Sequence, residues 1–274
     1  MTKILDTFLF THEFDLLELR LRLLWPVVDK FLLMEGDHNF TNQPKKMRFS
    51  EQAERFAWAK EKLIHIQHIG KFADREGQLS IPGELFVEHQ HRQYLYDRSK
   101  HIGYEHGFTA SDILLISDVD EIPSREVIAK LKAEDFPSPS LFDQDFYYYN
   151  INCHRGRRWH GTMAMRLGYS LSAFKHDIGA ARQARLTMPK IEYNCGWHFA
   201  HFYDAESIKE KLQHSSHQGY YTEEIYNPEH LKKCVAENKN YLGKKDGSLP
   251  KEPLPEYALA ELKRFPIMMG EEWR

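Results

Sequence analysis

Asp118, Asp120 and Glu121 stand almost side by side, directly after the aliphatic run Ile113-Leu114-Leu115-Ile116 and directly before Pro123. Carboxylates crowded at one point repel each other. A hard divalent cation such as Mg2+ or Mn2+ relieves that repulsion through oxygen ligands and keeps coordination positions open for substrate phosphates. A solvated turn carrying a helix-capping acid is the other use of such a triplet, but a surface turn does not need four consecutive aliphatic residues as its lead-in. An uninterrupted apolar run with β-branched residues has the composition of a strand buried on both faces of a parallel sheet. In open α/β sheets ligands gather at the carboxyl ends of the strands, so the triplet is expected to face a pocket. Pro123 stops the strand and suits the first turn of a helix.

Other chemistry-bearing residues are spread along the chain. Glu13 falls in the first turn of an expected helix, and Glu35 ends a second apolar run, Val27–Met34. Arg92 and Arg98 lie on an expected helix over Glu84–Ile102, where they either meet a diphosphate or form a solvated outer face. The stretch His154–Gly161 is basic, aromatic and glycine-containing; it reads as a phosphate-binding turn with Trp159 as a sugar platform, or as a basic hairpin. Asn194–Phe202 is dense in aromatics and histidine, with Gly196-Trp197-His198 at its centre. That stretch is either a buried strand with satisfied histidines or part of a site.

The elements that must position these residues follow a β-α-β-α-β pattern. Strands are expected at Thr7–Phe10, Val27–Met34 and Leu63–Ile69, with a helix over Phe14–Leu24 capped by Thr11 and another from Ser50 to Lys62. Lys71–Gly83 reads as a long functional loop. Further on, Arg125–Lys132 is an expected helix, Leu141–Ile151 a strand, Asp204 the cap of a helix to His214, and Asn227-Pro228 the start of a last helix reaching Tyr241. Residues 1–245 are expected to form a single catalytic domain, with 246–274 as a tail packed on its surface. Its 274 residues are enough to bury a substantial core. The 37 basic and 40 acidic residues give a net charge of −3 and no electrostatic reason to bind nucleic acid or an anionic membrane. Cys153, Cys195 and Cys234 are widely spaced and form no C-x-x-C pair, so neither a disulfide framework nor a zinc ribbon is indicated. No stretch approaches the apolar length of a membrane span and no secretory signal is visible, so a soluble cytoplasmic protein is expected.

Five stretches, in order, carry a likeness to a known family. They are Phe8-Leu9-Phe10 with Glu13, Asp15 to Glu18 and Arg20; Val27-Val28-Asp29 through Glu35 with Phe40-Thr41 and Pro44; Asp112 through Pro123; Thr187-Met188-Pro189; and Gly196-Trp197-His198. The chain resembles the β-1,4-mannosyl-glycoprotein 4-β-N-acetylglucosaminyltransferases of glycosyltransferase family 17, over about residues 5–220. The resemblance implies an α/β, GT-A type fold with a Rossmann-like, mostly parallel central sheet flanked by helices. It implies an inverting transfer of a sugar, GlcNAc from UDP-GlcNAc, to a hydroxyl of a saccharide or glycoconjugate acceptor, with Mn2+ or Mg2+ as cofactor. Carried over residue by residue, Asp118 and Asp120 match the metal and diphosphate motif, and His198 or His217 the late metal-binding histidine. Asp177 is the expected base and Glu192 its rival; Glu13, Glu35, Arg92, Arg98, Gly161 and Trp197 are expected around the donor. Two other classes fit clustered carboxylates: a carbohydrate-binding module without chemistry, and a metal-dependent nucleotidyltransferase or phosphohydrolase. The latter more naturally carries a glycine-rich or lysine-bearing phosphate loop after its first strand, which Thr11-His12-Glu13-Phe14 is not.

Overall fold

The computed structural model describes residues 2–72, 85–184, 187–192, 195–214, 223–225 and 227–271. In chain order the strands and helices are β1 (Ile4–Leu9), α1 (Phe14–Leu24), β2 (Lys30–Gly36), β3 (Leu63–His68), α2 (Phe86–Glu105), β4 (Ile113–Asp118), β5 (Glu121–Pro123) and α3 (Arg125–Ala133). They continue as β6 (Ser140–Tyr148), β7 (His154–Arg166), α4 (Ile178–Gln183), β8 (Lys190–Ile191), β9 (Gly196–Ala200), α5 (Ala205–His214), α6 (Pro228–Ala236) and α7 (Glu256–Leu262). A 3-10 segment, Phe49–Ala59, stands where the sequence predicted a regular helix, and its backbone breaks at Gln52.

The strands form one sheet in the order β3-β2-β1-β4-β7-β6-β9-β5, with β8 beside β6. The first four are parallel, with Leu5 opposite Lys30 and Leu114. This is the Rossmann-like half of an α/β fold. Beyond β4 the sheet is mixed: β7 runs antiparallel to both β4 and β6, and β5 antiparallel to β9. Alternate residues of the parallel strands face two helical layers. Phe8, Phe31, Ile113 and Leu115 pack toward α1, while Leu5, Leu32, Leu114 and Ile116 pack toward α2 and α4. Full burial of each such side chain contributes about 1.5–3 kcal/mol.

Several local expectations are corrected. Thr11 does not cap α1; the Glu13 carboxylate instead accepts from the amides of Thr11 and His12, both at 2.9 Å. Pro123 ends a strand, and the helix after it is capped by Ser124, whose Oγ accepts from the Val127 amide. His154–Gly161 is part of strand β7 and no phosphate-binding turn. Its Arg155 is buried against Asp246, and its Arg158 is paired with Asp145. The expected surface tail is exposed only as far as Pro253; from Leu254 onward it packs into the core, since Ala258 and Leu262 of α7 and Met268 after it join the same apolar cluster as α1. The predicted loop at 71–83 lies, after Phe72, outside the described residues.

Candidate active site

β4 ends at Asp118 and β5 begins at Glu121, so Val119 and Asp120 form the link between two strands. Carbonyls crowded into so tight a link need donors, and Arg20 of α1 supplies them. Its Nη1 donates to the carbonyl oxygens of Asp118 and Glu121 at 3.0 and 2.9 Å, and its Nη2 to Asp6 and Ser117, both at 2.6 Å. Arg20 and Asp6 are completely buried. Glu121 turns inward and is fully buried as well, accepting from Trp159 Nε1 at 2.7 Å, Arg182 Nη2 at 2.6 Å and the Asp118 amide at 3.0 Å. This carboxylate anchors the turn from behind. Gly161 makes the anchorage fit, because a Cβ there would lie 2.1 Å from Glu121 Oε1.

The other two carboxylates face a cleft of about 440 Å3 at the carboxyl end of β4. Both Asp118 oxygens accept from Arg92 Nη2, at 2.9 and 3.0 Å, and Oδ2 also from Arg182 Nη2 at 3.1 Å. Burial alone would push the Asp118 carboxyl up; Arg92 and Arg182 outweigh it and hold the group below the usual carboxylate range. Asp120 Oδ2 accepts from Lys211 Nζ at 2.9 Å, and His198 Nε2 stands 3.6 Å from Oδ1. Burial again pushes up, but Lys211 and His198 keep Asp120 firmly ionised. Lys211 also donates to Tyr203 Oη at 3.2 Å and sits 3.5 Å from Glu13. The mutual repulsion of the three acids is thus offset by the chain's own Arg92, Arg182 and Lys211.

Strand pairing explains how two distant sequence blocks meet. β5 and β9 run antiparallel with Glu121 opposite His198, Ile122 opposite Trp197 and Pro123 opposite Gly196. Gly196 has φ +104°, and a side chain on it would drive into the Ile122 carbonyl. Because neighbours along a strand point to opposite faces, His198 lines the cleft and Trp197 cannot. The His198 ring stacks on Phe146 with centroids 4.7 Å apart and lies 4.6 Å from that of Trp159. Phe146, Tyr148 and Trp159 together give the cleft an aromatic wall. His201, at φ +58°, closes its end, and burial, aided by Lys211, lowers its pKa to about 3.

One pair of side chains here has the spacing of ligands to a divalent ion. Two ligands each about 2.1 Å from a shared ion are about 3.0 Å apart at a right angle and about 3.4 Å apart at a tetrahedral one. Asp120 Oδ1 and His198 Nε2, at 3.6 Å, fit that spacing with a small adjustment. Asp118 does not offer a free oxygen, since both are held by arginine. Among the described residues no group of three or more His, Cys, Asp or Glu side chains forms a ready cage. The pair therefore fits an ion that takes most of its ligands from substrate phosphates and water, as Mg2+ commonly does.

The remaining sequence-predicted residues are distributed as follows. Glu13 and Arg92 line the cleft. Asp177 does not: its Oδ1 accepts from the Gly179 and Ala180 amides at 2.7 and 3.0 Å, capping the helix that carries Arg182. Glu35 is fully buried and accepts from the amides of Arg48 and Phe49, fixing the start of the 3-10 segment. Glu192 and Trp197 line a different, acidic pocket with Asp143 and Glu252. Arg98 and Gly161 line none of these cavities, although the Gly161 carbonyl accepts from Arg182 at 2.8 Å. His217 lies outside the described residues. Sequence reading missed Arg182, Lys211 and Glu88, all in the cleft wall. The Glu88–Arg92 pair was detectable as an i,i+4 ion pair, at 2.6 Å here. Lys211 gave no local signal, because its partner Asp120 is remote in sequence.

The chain is similar to several known proteins. Rat and human β-1,4-mannosyl-glycoprotein 4-β-N-acetylglucosaminyltransferases are each 24% identical to the chain over 137 residues, 48% of this chain. The match spans 24% of the length of those relatives, about a quarter. Among solved structures, a 4-diphosphocytidyl-2C-methyl-D-erythritol synthase aligns with 73% of this chain and 90% of its own at a TM-score of 0.42 and 10% identity. The glycosyltransferase GlyE of Streptococcus pneumoniae aligns with 67% of this chain and 37% of its own at a TM-score of 0.31 and 14% identity. Likeness at that level carries no functional information. The model of glycosyltransferase family 17 matches residues 1–249, and the chain belongs to that family.

Proposed function

We propose that this glycosyltransferase moves a sugar, GlcNAc, from UDP-GlcNAc to a saccharide hydroxyl with inversion, using Mn2+ or Mg2+ at Asp120 and His198. The observation that carries the reading is the convergence, in one cleft, of the Asp118–Glu121 turn, three cations and an aromatic wall. Its lining charges are unbalanced. Glu13, Glu88, Asp118 and Asp120 stand against Arg92, Arg182 and Lys211, four acids to three bases. A diphosphate entering an already negative cleft needs further positive charge, which a divalent ion supplies by stabilising the departing diphosphate.

The chain's own groups perform the rest. Arg92, whose Nε is buried without a hydrogen-bond partner, gains one from a phosphate oxygen. Trp159 is held rigid through its bond to Glu121 and offers an aromatic surface to a pyranose ring. Asp177 and Glu192 are placed elsewhere, and we assign the acceptor's proton to Glu88, which lines the cleft beside Arg92. Its partner Arg92 stands 2.6 Å away, and a base must lie within reach of the hydroxyl it deprotonates. The names of the relatives support the donor, and the absence of a glycine-rich phosphate loop after β1 disfavours the nucleotidyltransferase alternative.

The test is UDP release from a panel of UDP-sugars, with Mn2+ and an oligosaccharide acceptor. Removing one of the ion's two proposed protein ligands by Asp120→Ala is expected to lower kcat by at least about 10²-fold, the scale on which a preorganised electrostatic contact acts, with a cooperative melting transition retained. Wild-type-like turnover in that variant rejects the assignment. Glycan binding without UDP affinity favours the carbohydrate-binding module.

A further inference from the structure

Two cavities meet at Lys211. One is the charged cleft; the other is a more apolar pocket at the carboxyl ends of β1 and β2, walled by Phe10, Met34, Phe40 and His91. Among the described residues Lys211 is the one cation that lines both. Helix α5 fixes it there. Asp204 Oδ1 caps the helix by accepting from the Ser207 amide at 2.8 Å, while Ile208, one turn before Lys211, and Leu212 are buried in the core.

A nucleotide sugar has three parts in line: an apolar-faced base, a diphosphate and a polar sugar. An apolar pocket opening into a charged cleft has the same order, and the junction falls at the phosphates. We propose that Lys211 binds the donor diphosphate, holding carboxylates while the cleft is empty and taking a phosphate oxygen when it is filled. This rests on the cleft being the site of a nucleotide-diphosphate sugar, as proposed above. The ammonium's contacts indicate which partner yields. Asp120 and Tyr203 lie at hydrogen-bond distance, whereas Glu13 is 3.5 Å away and already satisfied by the amides of Thr11 and His12. A phosphate oxygen therefore replaces Glu13 at Lys211 without leaving that carboxylate unpaired.

The experiment compares the wild-type chain with Lys211→Met and Lys211→Arg, titrated with UDP and with uridine in Mn2+ and followed by calorimetry and ligand-observed NMR. Lys211→Met should weaken UDP by about tenfold or more, the loss of one charge-assisted contact, and leave uridine unchanged; Lys211→Arg should recover most of the UDP affinity. If Lys211→Met does not fold, Lys211→Gln, which keeps a donor to Asp120 without the charge, is read in the same way. Unchanged UDP affinity, or an equal loss for uridine, overturns the role of Lys211. Absence of UDP binding by the wild type overturns instead the nucleotide reading beneath it, and this proposal with it.

Discussion

Chemically similar side chains take different parts here according to what surrounds them. Of three neighbouring acids, Glu121 is buried as an anchor, Asp118 is held by two arginines, and only Asp120 keeps an oxygen turned toward a histidine that can share an ion with it. Histidines divide in the same way. His91, in the apolar pocket, is pushed by burial down to about 4, although its hydrogen bonds to the Val87 and His38 backbone work in the opposite direction. Its folded value is thus below the unfolded 6.5, so between those pH values the unfolded chain takes up a proton that the folded chain refuses. Stability should therefore fall on acidification from pH 6.5 toward 4, by up to about 1.4 kcal/mol per pH unit for this one group, and be insensitive to it above that window. Urea denaturation at a series of pH values should show the slope reduced by about one proton in His91→Gln. An unaltered slope would contradict the burial argument.

At the scale of elements, the site depends on a strand pair and on a helix that props it. The β5–β9 pairing brings Glu121 opposite His198, and α1 reaches under the same turn with Arg20. Arg20→Met leaves Asp6 buried without a counter-charge and the carbonyls of Asp118, Val119 and Glu121 without their donor. Destabilisation of about 3–5 kcal/mol is expected, measurable by chemical denaturation, and a loss below 1 kcal/mol would show that the turn stands without α1. Strand β4 and its acidic end were legible because burial on both faces leaves a continuous aliphatic run, and α1 and α5 because their apolar residues recur at helical spacing. Neither the β5–β9 register nor the contact between Lys211 and Asp120 is local, and no pattern within a single element encodes them. Two misreadings were avoidable. Asp177 stands just before Ile-Gly-Ala-Ala, an N-cap position, and the alternation of a strand allows only one of Trp197 and His198 into the cleft. Glu35 was not avoidable, since its partners are the amides of Arg48 and Phe49, well downstream.

For the molecule as a whole, the parallel half of the sheet ends in the apolar pocket and the charged cleft, while the mixed half supplies the aromatic wall and His198. The C-terminal stretch is structural support for this arrangement: Tyr257 of α7 donates to Glu126 of α3 at 2.7 Å, and Arg125 lies over its ring. Among the described residues no helix is long and apolar enough to cross a membrane. The chain belongs to glycosyltransferase family 17, and under the proposed function the cleft divides the work: arginines and a lysine for the phosphates, an aspartate and a histidine for the ion, an aromatic surface for the sugar. The most direct measurement is calorimetric titration of UDP-GlcNAc into the wild-type chain and into Asp120→Ala, each with Mn2+ and with EDTA. The account predicts binding to the wild type that requires Mn2+ and is lost in the variant; equal binding with EDTA, or by Asp120→Ala, would contradict it.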